Sequence, residues 1–599
     1  MMNKAGTDIQ IAICGSAGDG TIASGDIMKR AAALMGYNVI AFDEYPPEIR
    51  GFGKCISRIR ISSQQAYSLK EQSDVLISLN DSHAIPHARE VRDFGAVIYD
   101  DNLVSAVAEG GHMSAHINAA QVPYGFAIRQ MSEQATNAAR ARNIVVLGYL
   151  AGLYDLPPEH FREIIKAKFA KKPQAVIDDN TKAFDAGLVA GQAVFKLDDV
   201  VVGAAGDEAT GSKAVMMTGN GAVVRGFMEA EIQSYFGYPI TPATSIMERL
   251  AVEMPPKGGN FLQTEDEISA IAAAIGAGYT GSRAATATSG PGLALMAEML
   301  GLGVMAEVPV VVVVSQRGGP STGLPTKTEQ SDLNLAVFGG SGDAQRIVLA
   351  PTNVEGCYRC AGMAFDIAET YQTPVILLID LYLSNRYETV VPSDEASFAP
   401  KPRIDVVADE NAPYKRFAFT ENHISPRALP GQAGLMHTIT GLEHNELGRP
   451  NDAIHMDMST KRHEKLNSAV HFPGLNVSKR FGDEGPVDVG ILGWGSSFGE
   501  VLETMYEAQA EGIRCAAMKV VMLSPLPIEA LKEFFADCRE ILVPELNYEG
   551  QFASLVSGAL GKPVTRLNRA TGSPMVVNEI LEEVRRLSGQ NQAPLSAAE

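Results

Sequence analysis

The stretch Gln263–Gly292, QTEDEISAIAAAIGAGYTGSRAATATSGPG, decides the fold. Glu265, Asp266 and Glu267 precede a run made almost wholly of Ala, Ile and Gly, which is the charge order of a helix N-terminus. A short strand, AATATS, and a Gly/Pro turn, Thr288–Gly292, follow at once. The later runs PVVVVVS and PVILLID are short, continuous and rich in β-branched residues, as are strands buried on both faces of a parallel sheet. Helix and strand alternate over residues 213–400, so this stretch predicts an α/β domain.

The same rhythm extends in both directions. Toward the N-terminus, IQIAICG, the Gly-rich turn GSAGDGT, a helix through DIMKRAAALMGY and the strand NVIAFD predict a βαβ opening. DVLISL and GAVIYD continue that first α/β block, assigned to residues 1–197. The acidic, Gly/Ala-rich VVGAAGDEATGSKA reads as a linker, placed at 198–212. Downstream, residues 401–484 are Pro-rich and charged and read as an extended connecting arm. VDVGILGWGSS then restarts a smaller α/β unit over 485–590, followed by a tail, 591–599. The expected fold class is α/β with three domains.

Composition narrows the function. The chain has 599 residues, 46% of them hydrophobic and 20% charged, which suits several packed domains and excludes a mostly disordered chain. Lys plus Arg number 50 against 70 for Asp plus Glu, so the net charge of 50 − 70 = −20 argues against nucleic acid as a partner. Six scattered cysteines make neither a disulfide framework nor a cluster-binding set; Cys357 and Cys360, inside VEGCYRCAGMAFDIAE, read as two core thiols. The apolar run Val308–Val314 is far shorter than the ~20 residues of a membrane span, and no secretory leader is legible. A cytoplasmic protein without a membrane partner is expected.

Three features carry candidate chemistry. GYPITPATS holds Thr241 between two prolines, where its hydroxyl can meet a ligand carboxylate, or where Thr241 and Thr244 can cap the following helix. Glu267 stands at the mouth of a helix whose small residues admit a close neighbour, so its carboxylate can be buried at an interface. Gln316 and Arg317 end the strand PVVVVVSQ and open RGGPSTGLPTKTEQSD, a 16-residue loop of the kind that is usually functional. Arg317 offers the fork that carboxylates prefer, and Thr326 and Lys327 lie further along the loop. GSAGDGT leaves two readings open, a phosphate cradle or a plain tight turn. Its GDG triplet lacks the properly spaced Asn of a Mg-diphosphate motif, and no metal ligands are assigned to this chain.

YPITPATS, the Glu267 helix, TSGPG and SQRGGPSTGLPTKTEQSDL together resemble the α subunit of 2-oxoacid:ferredoxin oxidoreductases. YKRFAFTENHISPRALPG, GLEHNELG and MSTKRHEKL are similar to the same subunit, and the last block resembles a transketolase C-terminal-like domain. GSAGDGT, EYPPEIRGFGKCISRIR and ARNIVVLGYL resemble that family's γ module, fused ahead of α. The resemblance thus implies a γ-type domain, a thiamine-diphosphate pyrimidine-binding domain and a transketolase C-terminal-like domain. It implies thiamine-diphosphate-dependent oxidative decarboxylation of a 2-oxoacid with CoA to acyl-CoA, CO2 and reduced ferredoxin, with the reductive direction also open. Glu267 is then the catalytic residue, on the cofactor's N1′, with Tyr238, Ser289 and Gly290 also binding the cofactor. Thr241, Arg317, Thr326 and Lys327 bind substrate, and a second cation at Lys327 favours 2-oxoglutarate over pyruvate or a branched-chain oxoacid. Mg2+ and a 4Fe-4S cluster are expected on a β subunit that shares the cofactor, in an (αβ)2 assembly active only when both subunits are present. A non-catalytic assembly or regulatory subunit is the reading of a different class.

Overall fold

The computed structural model describes residues 6–45, 53–102, 111–137, 139–194, 214–391, 398, 406–409 and 411–589. The expected linker and tail lie outside the described residues, as does most of EYPPEIRGFG. The chain forms two compact units: residues 1–217 with 386–393, and residues 218–385 with 394–599.

The first unit is built on an eight-stranded sheet. Its order is Val122–Phe126, Val91–Asp100, Ser73–Ser78, Asp8–Ser16, Lys54–Ser62, Asn38–Glu44, Tyr387–Val390, Val215–Thr218. Asp8–Ser16 runs parallel to Ser73–Ser78, but Lys54–Ser62 lies antiparallel between Asp8–Ser16 and Asn38–Glu44. The predicted βαβ opening is therefore split by a strand that the sequence reading passed over. KCISRIRIS hides its strand character behind two arginines, which cross-strand partners satisfy: Arg60 Nε donates to Asp8 Oδ1 at 2.8 Å, and Arg58 pairs with Glu44 and Glu90. Beside it, buried Lys29 meets Asp43 at 2.7 Å. Helices Arg142–Leu153 and Gln174–Gln192 cross closely enough that a Cβ on Gly148 would stand 2.0 Å from the Phe184 carbonyl oxygen, and only glycine permits this approach.

In GSAGDGT the Asp19 carboxylate closes the turn. It accepts from the Ser16 amide at 2.8 Å and pairs with Arg142, while Gly18 and Gly20 take φ of 99° and 83°. The helix Thr21–Leu34 follows directly.

The second unit holds two sheets. The seven-stranded one has the order Met522–Ser524, Ile347–Leu349, Pro374–Asp380, Val310–Gln316, Ala284–Thr288, Ser234–Gly237, Asn260–Gln263, and its strands are parallel except Met522–Ser524. Val310–Val314 are at most 1% exposed, which at about 1.5–3 kcal/mol for each fully buried valine makes this strand a main source of cohesion. The five-stranded sheet, Ser478–Gly482, Cys515–Val520, Val487–Gly493, Cys538–Glu545, Thr565–Asn568, comes from the end of the chain. One apolar core joins Ile271, Leu300 and Val312 of the larger sheet's layer to Trp494, Phe534 and Phe552 of the smaller. Cys357 and Cys360 are buried in helix Val354–Tyr371, as expected of core thiols, and burial pushes the Cys360 thiol up to about 12.

Residues 411–477 follow an irregular path, broken by helix His455–Glu464 and short 3-10 turns. Basic residues of this segment grip two helix ends. Glu307, just past helix Gly290–Met305, is 1% exposed and meets Lys461 at 2.5 Å and Lys465 at 3.0 Å. Arg416 donates to the Glu307 carbonyl at 2.6 Å and to Gln372 Oε1 at 2.9 Å, and Lys465 donates to the Gln372 carbonyl at 3.0 Å. Gln372 is the C-cap of helix Val354–Tyr371, so these cations sit where helix dipoles favour them. Burial alone would raise the Glu307 carboxyl, but Lys465, Lys461 and Arg416 together hold it well below the usual carboxylate range. Burial pushes the Lys465 ammonium down to about 8 against the pull of Glu307. Among the described residues no helix is long and apolar enough to cross a membrane.

Glu307→Ala leaves two buried ammonium groups without their shared carboxylate. It should lower unfolding free energy by about 3–5 kcal/mol in denaturant titration, whereas Glu253→Ala, which removes only a half-exposed pair with Arg249 one turn away, should change it by about 0.5 kcal/mol or less.

Candidate active site

The first wall of the site is the loop after strand Ser234–Gly237. Tyr238 there is 38% exposed, the Thr241–Pro242 peptide is cis, and helix Thr244–Glu253 begins after Ala243 with no side-chain cap. Thr241 and Thr244 therefore do not cap this helix, and the Thr241 side chain is exposed. The loop is held from below by buried Asn220, whose Nδ2 donates to the Pro242 carbonyl and to Ser245 Oγ, both at 2.9 Å.

The second wall is the start of helix Glu267–Tyr279. Asp266 is its N-cap and forms a capping box with Ser269: the Ser269 amide donates to Asp266 Oδ1 at 2.7 Å, and the Asp266 amide donates to Ser269 Oγ at 3.2 Å. With capping met by Asp266, Glu267 is free to turn inward. It is 5% exposed, and its carboxylate has no hydrogen-bond or ion-pair partner among the described residues. It lies against the first turn of helix Gly290–Met305. A Cβ on Gly292 would stand 2.7 Å from Glu267 Oε1 and 1.9 Å from Thr288 Oγ1. Only glycine leaves room there for both side chains. Ser289, the N-cap of the same helix, is fully buried, and its hydroxyl has no partner.

Arg317 supplies the third wall, and its Nη1 donates to the Thr241 carbonyl at 2.8 Å. It is 8% exposed and its Nε has no partner; burial lowers its pKa, opposed by the charge of Asp332. Residues 317–332 contain no helix or strand, as predicted, but the loop is ordered by its own backbone. The Gly318 amide donates to the Lys327 carbonyl at 3.0 Å and the Leu324 amide to the Gly318 carbonyl at 2.8 Å. Gly323, with φ 46°, lies so close to Gly318 that a Cβ would sit 2.2 Å from its carbonyl oxygen. This closure brings half-buried Thr326 and Lys327 back to the base of the loop beside Arg317, with the Lys327 stem against Gly572.

The rest of the loop is bolted to the smaller sheet's layer. Gln330 is fully buried: its amide donates to the Leu546 carbonyl at 2.7 Å, and its side chain bonds the Leu546 amide and the Trp494 carbonyl. Gln551 Nε2 donates to the Ser331 carbonyl at 2.8 Å. Asp332 then returns to the site, and its carboxylate lies against Gly290. The structure thus joins Thr241 to Arg317, Glu267 to Thr288 and Gly292, and Ser289–Gly290 to Asp332. Sequence reading missed Asn220, Gln330 and Asp332. Gln330 and Asp332 lie in a loop already singled out and Gly292 ends a motif already quoted, but nothing local marked Asn220.

A buried carboxylate without a hydrogen-bond donor is free to bond a ring nitrogen that a ligand brings to it. Residues 225–462 match the family described as pyruvate flavodoxin/ferredoxin oxidoreductase, thiamine diphosphate-binding. Residues 10–190 match pyruvate ferredoxin/flavodoxin oxidoreductase, and residues 487–582 match pyruvate:ferredoxin oxidoreductase core domain II. The protein is therefore of the oxidoreductase class, with a thiamine-diphosphate-binding domain. The chain is 31% identical to the 2-oxoglutarate oxidoreductase subunit KorA of Mycobacterium tuberculosis, over 96% of this chain and 91% of that one. It is 30% identical to the 2-oxoacid:ferredoxin oxidoreductase subunit alpha of Saccharolobus solfataricus, over 96% of each. Its structure superposes with TM-score 0.91 on the 2-oxoglutarate:ferredoxin oxidoreductase from Magnetococcus marinus, at 36% identity, covering 97% of this chain and 100% of the other. The chain belongs to the α-subunit family of 2-oxoacid:ferredoxin oxidoreductases.

Gly292→Ala adds one methyl group where Thr288 and Glu267 already stand. Alanine favours a helix by about 1 kcal/mol over glycine, yet the overlap should reverse that sign, lowering the melting temperature and driving the Glu267 side chain from its buried position in a crystal structure. The helical Gly301→Ala, which meets open space, should not destabilise the chain.

Proposed function

We propose that this chain is the catalytic γ-α subunit of a CoA-acylating 2-oxoacid:ferredoxin oxidoreductase whose substrate is 2-oxoglutarate. The observation that carries the reading is the Glu267 carboxylate, buried without a hydrogen-bond partner against Gly292. Thiamine diphosphate, when bound, supplies the carbon nucleophile and electron sink that decarboxylation of a 2-oxoacid needs. Glu267 would hold the pyrimidine ring nitrogen and its proton, with Tyr238, Ser289 and Gly290 lining the ring. Arg317 presents its unpartnered Nε to an anion, and Thr241 stands over it on a loop that Asn220 and Arg317 hold still. Thr326 and Lys327 would complete the pocket, the ammonium matching a second carboxylate. The relative from Magnetococcus marinus was solved with 2-oxoglutarate, coenzyme A and succinyl-CoA bound, which supports the dicarboxylate and CoA as co-substrates here.

The cofactor's diphosphate, its Mg2+ and a 4Fe-4S cluster would belong to a β subunit in an (αβ)2 complex that passes electrons to ferredoxin. In support, the elements that carry the site, or the loops that join them, leave Tyr238, Leu262, Ile268 and Leu295 38–53% exposed. A second subunit seated there would shield the reacting groups from water.

In the reconstituted complex Glu267→Gln should fold normally and lower turnover by about 10²–10⁴-fold; near-normal turnover would contradict the assignment. Arg317→Ala should raise the KM for any 2-oxoacid by about tenfold or more, the loss of one charged hydrogen bond. Lys327→Gln should lower kcat/KM for 2-oxoglutarate and spare pyruvate. Equal losses on both substrates would remove Lys327 from the specificity pocket.

A further inference from the structure

The site contains an ionisable group, Asp332, that none of the assigned roles uses. Asp332 ends the long loop, and its amide donates to Gln316 Oε1 at 3.0 Å, so the residue is pinned to the end of the strand that delivers Arg317. Its carboxylate lies over the first residue of helix Gly290–Met305: a Cβ on Gly290 would stand 2.4 Å from Oδ2 and 2.6 Å from Oδ1. Oδ2 is buried and accepts no hydrogen bond. Next in sequence to Gly290 and Gln316, which Asp332 touches, Ser289 Oγ and Arg317 Nε are likewise buried without partners. A buried carboxylate, an arginine with a spare donor and a helix start without a side-chain cap thus meet at the C-terminal ends of neighbouring strands.

Two charged groups act on Asp332. Arg317, from the end of strand Val310–Gln316, stabilises its anion. Glu329, from the same loop, is 8% exposed, accepts from Ser331 Oγ at 3.1 Å and opposes that anion. Burial and then Glu329 outweigh Arg317, and the Asp332 carboxyl is raised to about 6. An arriving substrate carboxylate changes this balance. It takes the Arg317 donors and adds a second negative charge to a dry site, and two anions sharing one cation there cannot both stay ionised cheaply.

We propose that Asp332 is a positioning residue that couples substrate binding to a proton: when a 2-oxoacid carboxylate docks on Arg317, Asp332 takes up one proton from solvent and becomes a neutral hydrogen-bonding group beside it. No bond to carbon changes in this step. The proton that neutralises Asp332 offsets the charge the substrate brings, and it returns to solvent when the anion leaves. The inference rests on the assignment of Arg317 to the substrate carboxylate. The sign follows from linkage: protonated Asp332 favours the anion, so affinity is greatest below its pKa and weakens as pH rises through that value.

The test uses the complete complex with its β subunit and thiamine diphosphate. N-oxalylglycine, an isostere of 2-oxoglutarate, or oxamate, the isostere of pyruvate, is titrated calorimetrically at pH 7 in phosphate and in Tris. Different buffer ionisation heats report the protons taken up. The wild-type complex should absorb at least about half a proton per ligand, and Asp332→Asn should bind the same probe with almost none. In steady state, wild-type log KM should climb between pH 6 and 8 with a slope approaching about one per unit, while Asp332→Asn stays nearly flat at the low-pH wild-type value. Proton uptake that survives in Asp332→Asn, or a variant KM raised at every pH, would overturn the coupling while leaving Arg317 in its role. Failure of both probes to bind the wild-type complex would overturn the Arg317 assignment and the coupling with it.

Discussion

Glu307 is the point on which the second unit turns. One carboxylate, cut off from water, holds Lys461 and Lys465 from a helix more than 150 positions away in sequence, while Arg416 grips its carbonyl. An isolated charge so deeply buried would cost several kcal/mol, and two ammonium groups with one carboxylate are tolerable only because hydrogen bonds to helix ends and to Gln372 spread the excess. The two turns gripped, at Glu307 and Gln372, each lead directly into a central strand, Val310–Gln316 and Pro374–Asp380. The long basic passage therefore works as a brace: it fixes the N-terminal ends of the strands whose C-terminal ends carry Gln316, Arg317 and Asp380.

At those C-terminal ends the design is one of absent atoms. Gly290, Gly292 and Gly323 each lie where a methyl group would overlap a carboxylate, a hydroxyl or a carbonyl. In Gly292 the missing Cβ lets a buried acid lie against a helix start, and in Gly323 it lets a long loop close on itself. The closed loop then spans two layers, with Arg317 at the parallel sheet and Gln330 bolted to the backbone around Leu546 and Trp494. The loop is thereby pinned at both ends.

The capping arrangement at Asp266 shows how neighbouring acids divide labour. Three carboxylates precede one helix, but only Asp266 serves its N-terminus, through Ser269. Glu267, one residue further on, is buried and is relieved of capping. Sequence alone could not separate these roles, because rotation by one residue on a helix is a change of about 100° in direction, and which direction faces the interior depends on the helix it meets.

Much of the plan was legible in the chain. Continuous β-branched runs between helical stretches announced the parallel sheets, since a strand covered on both faces leaves no polar side to alternate. The Gly- and Pro-rich composition of residues 317–332 announced a loop, and the family resemblance rested on those same local motifs. What only the tertiary structure decided was every relation across long separations. Lys54–Ser62 entered the first sheet because distant carboxylates neutralised its arginines, and Met522–Ser524 joined a sheet begun at Ser234, about 290 residues earlier. Likewise Asp332 met Gly290, and the basic arm met Glu307. Propensity and periodicity are properties of neighbours in sequence, whereas the cost of burying a charge is settled only by what the folded chain brings within a few ångströms of it.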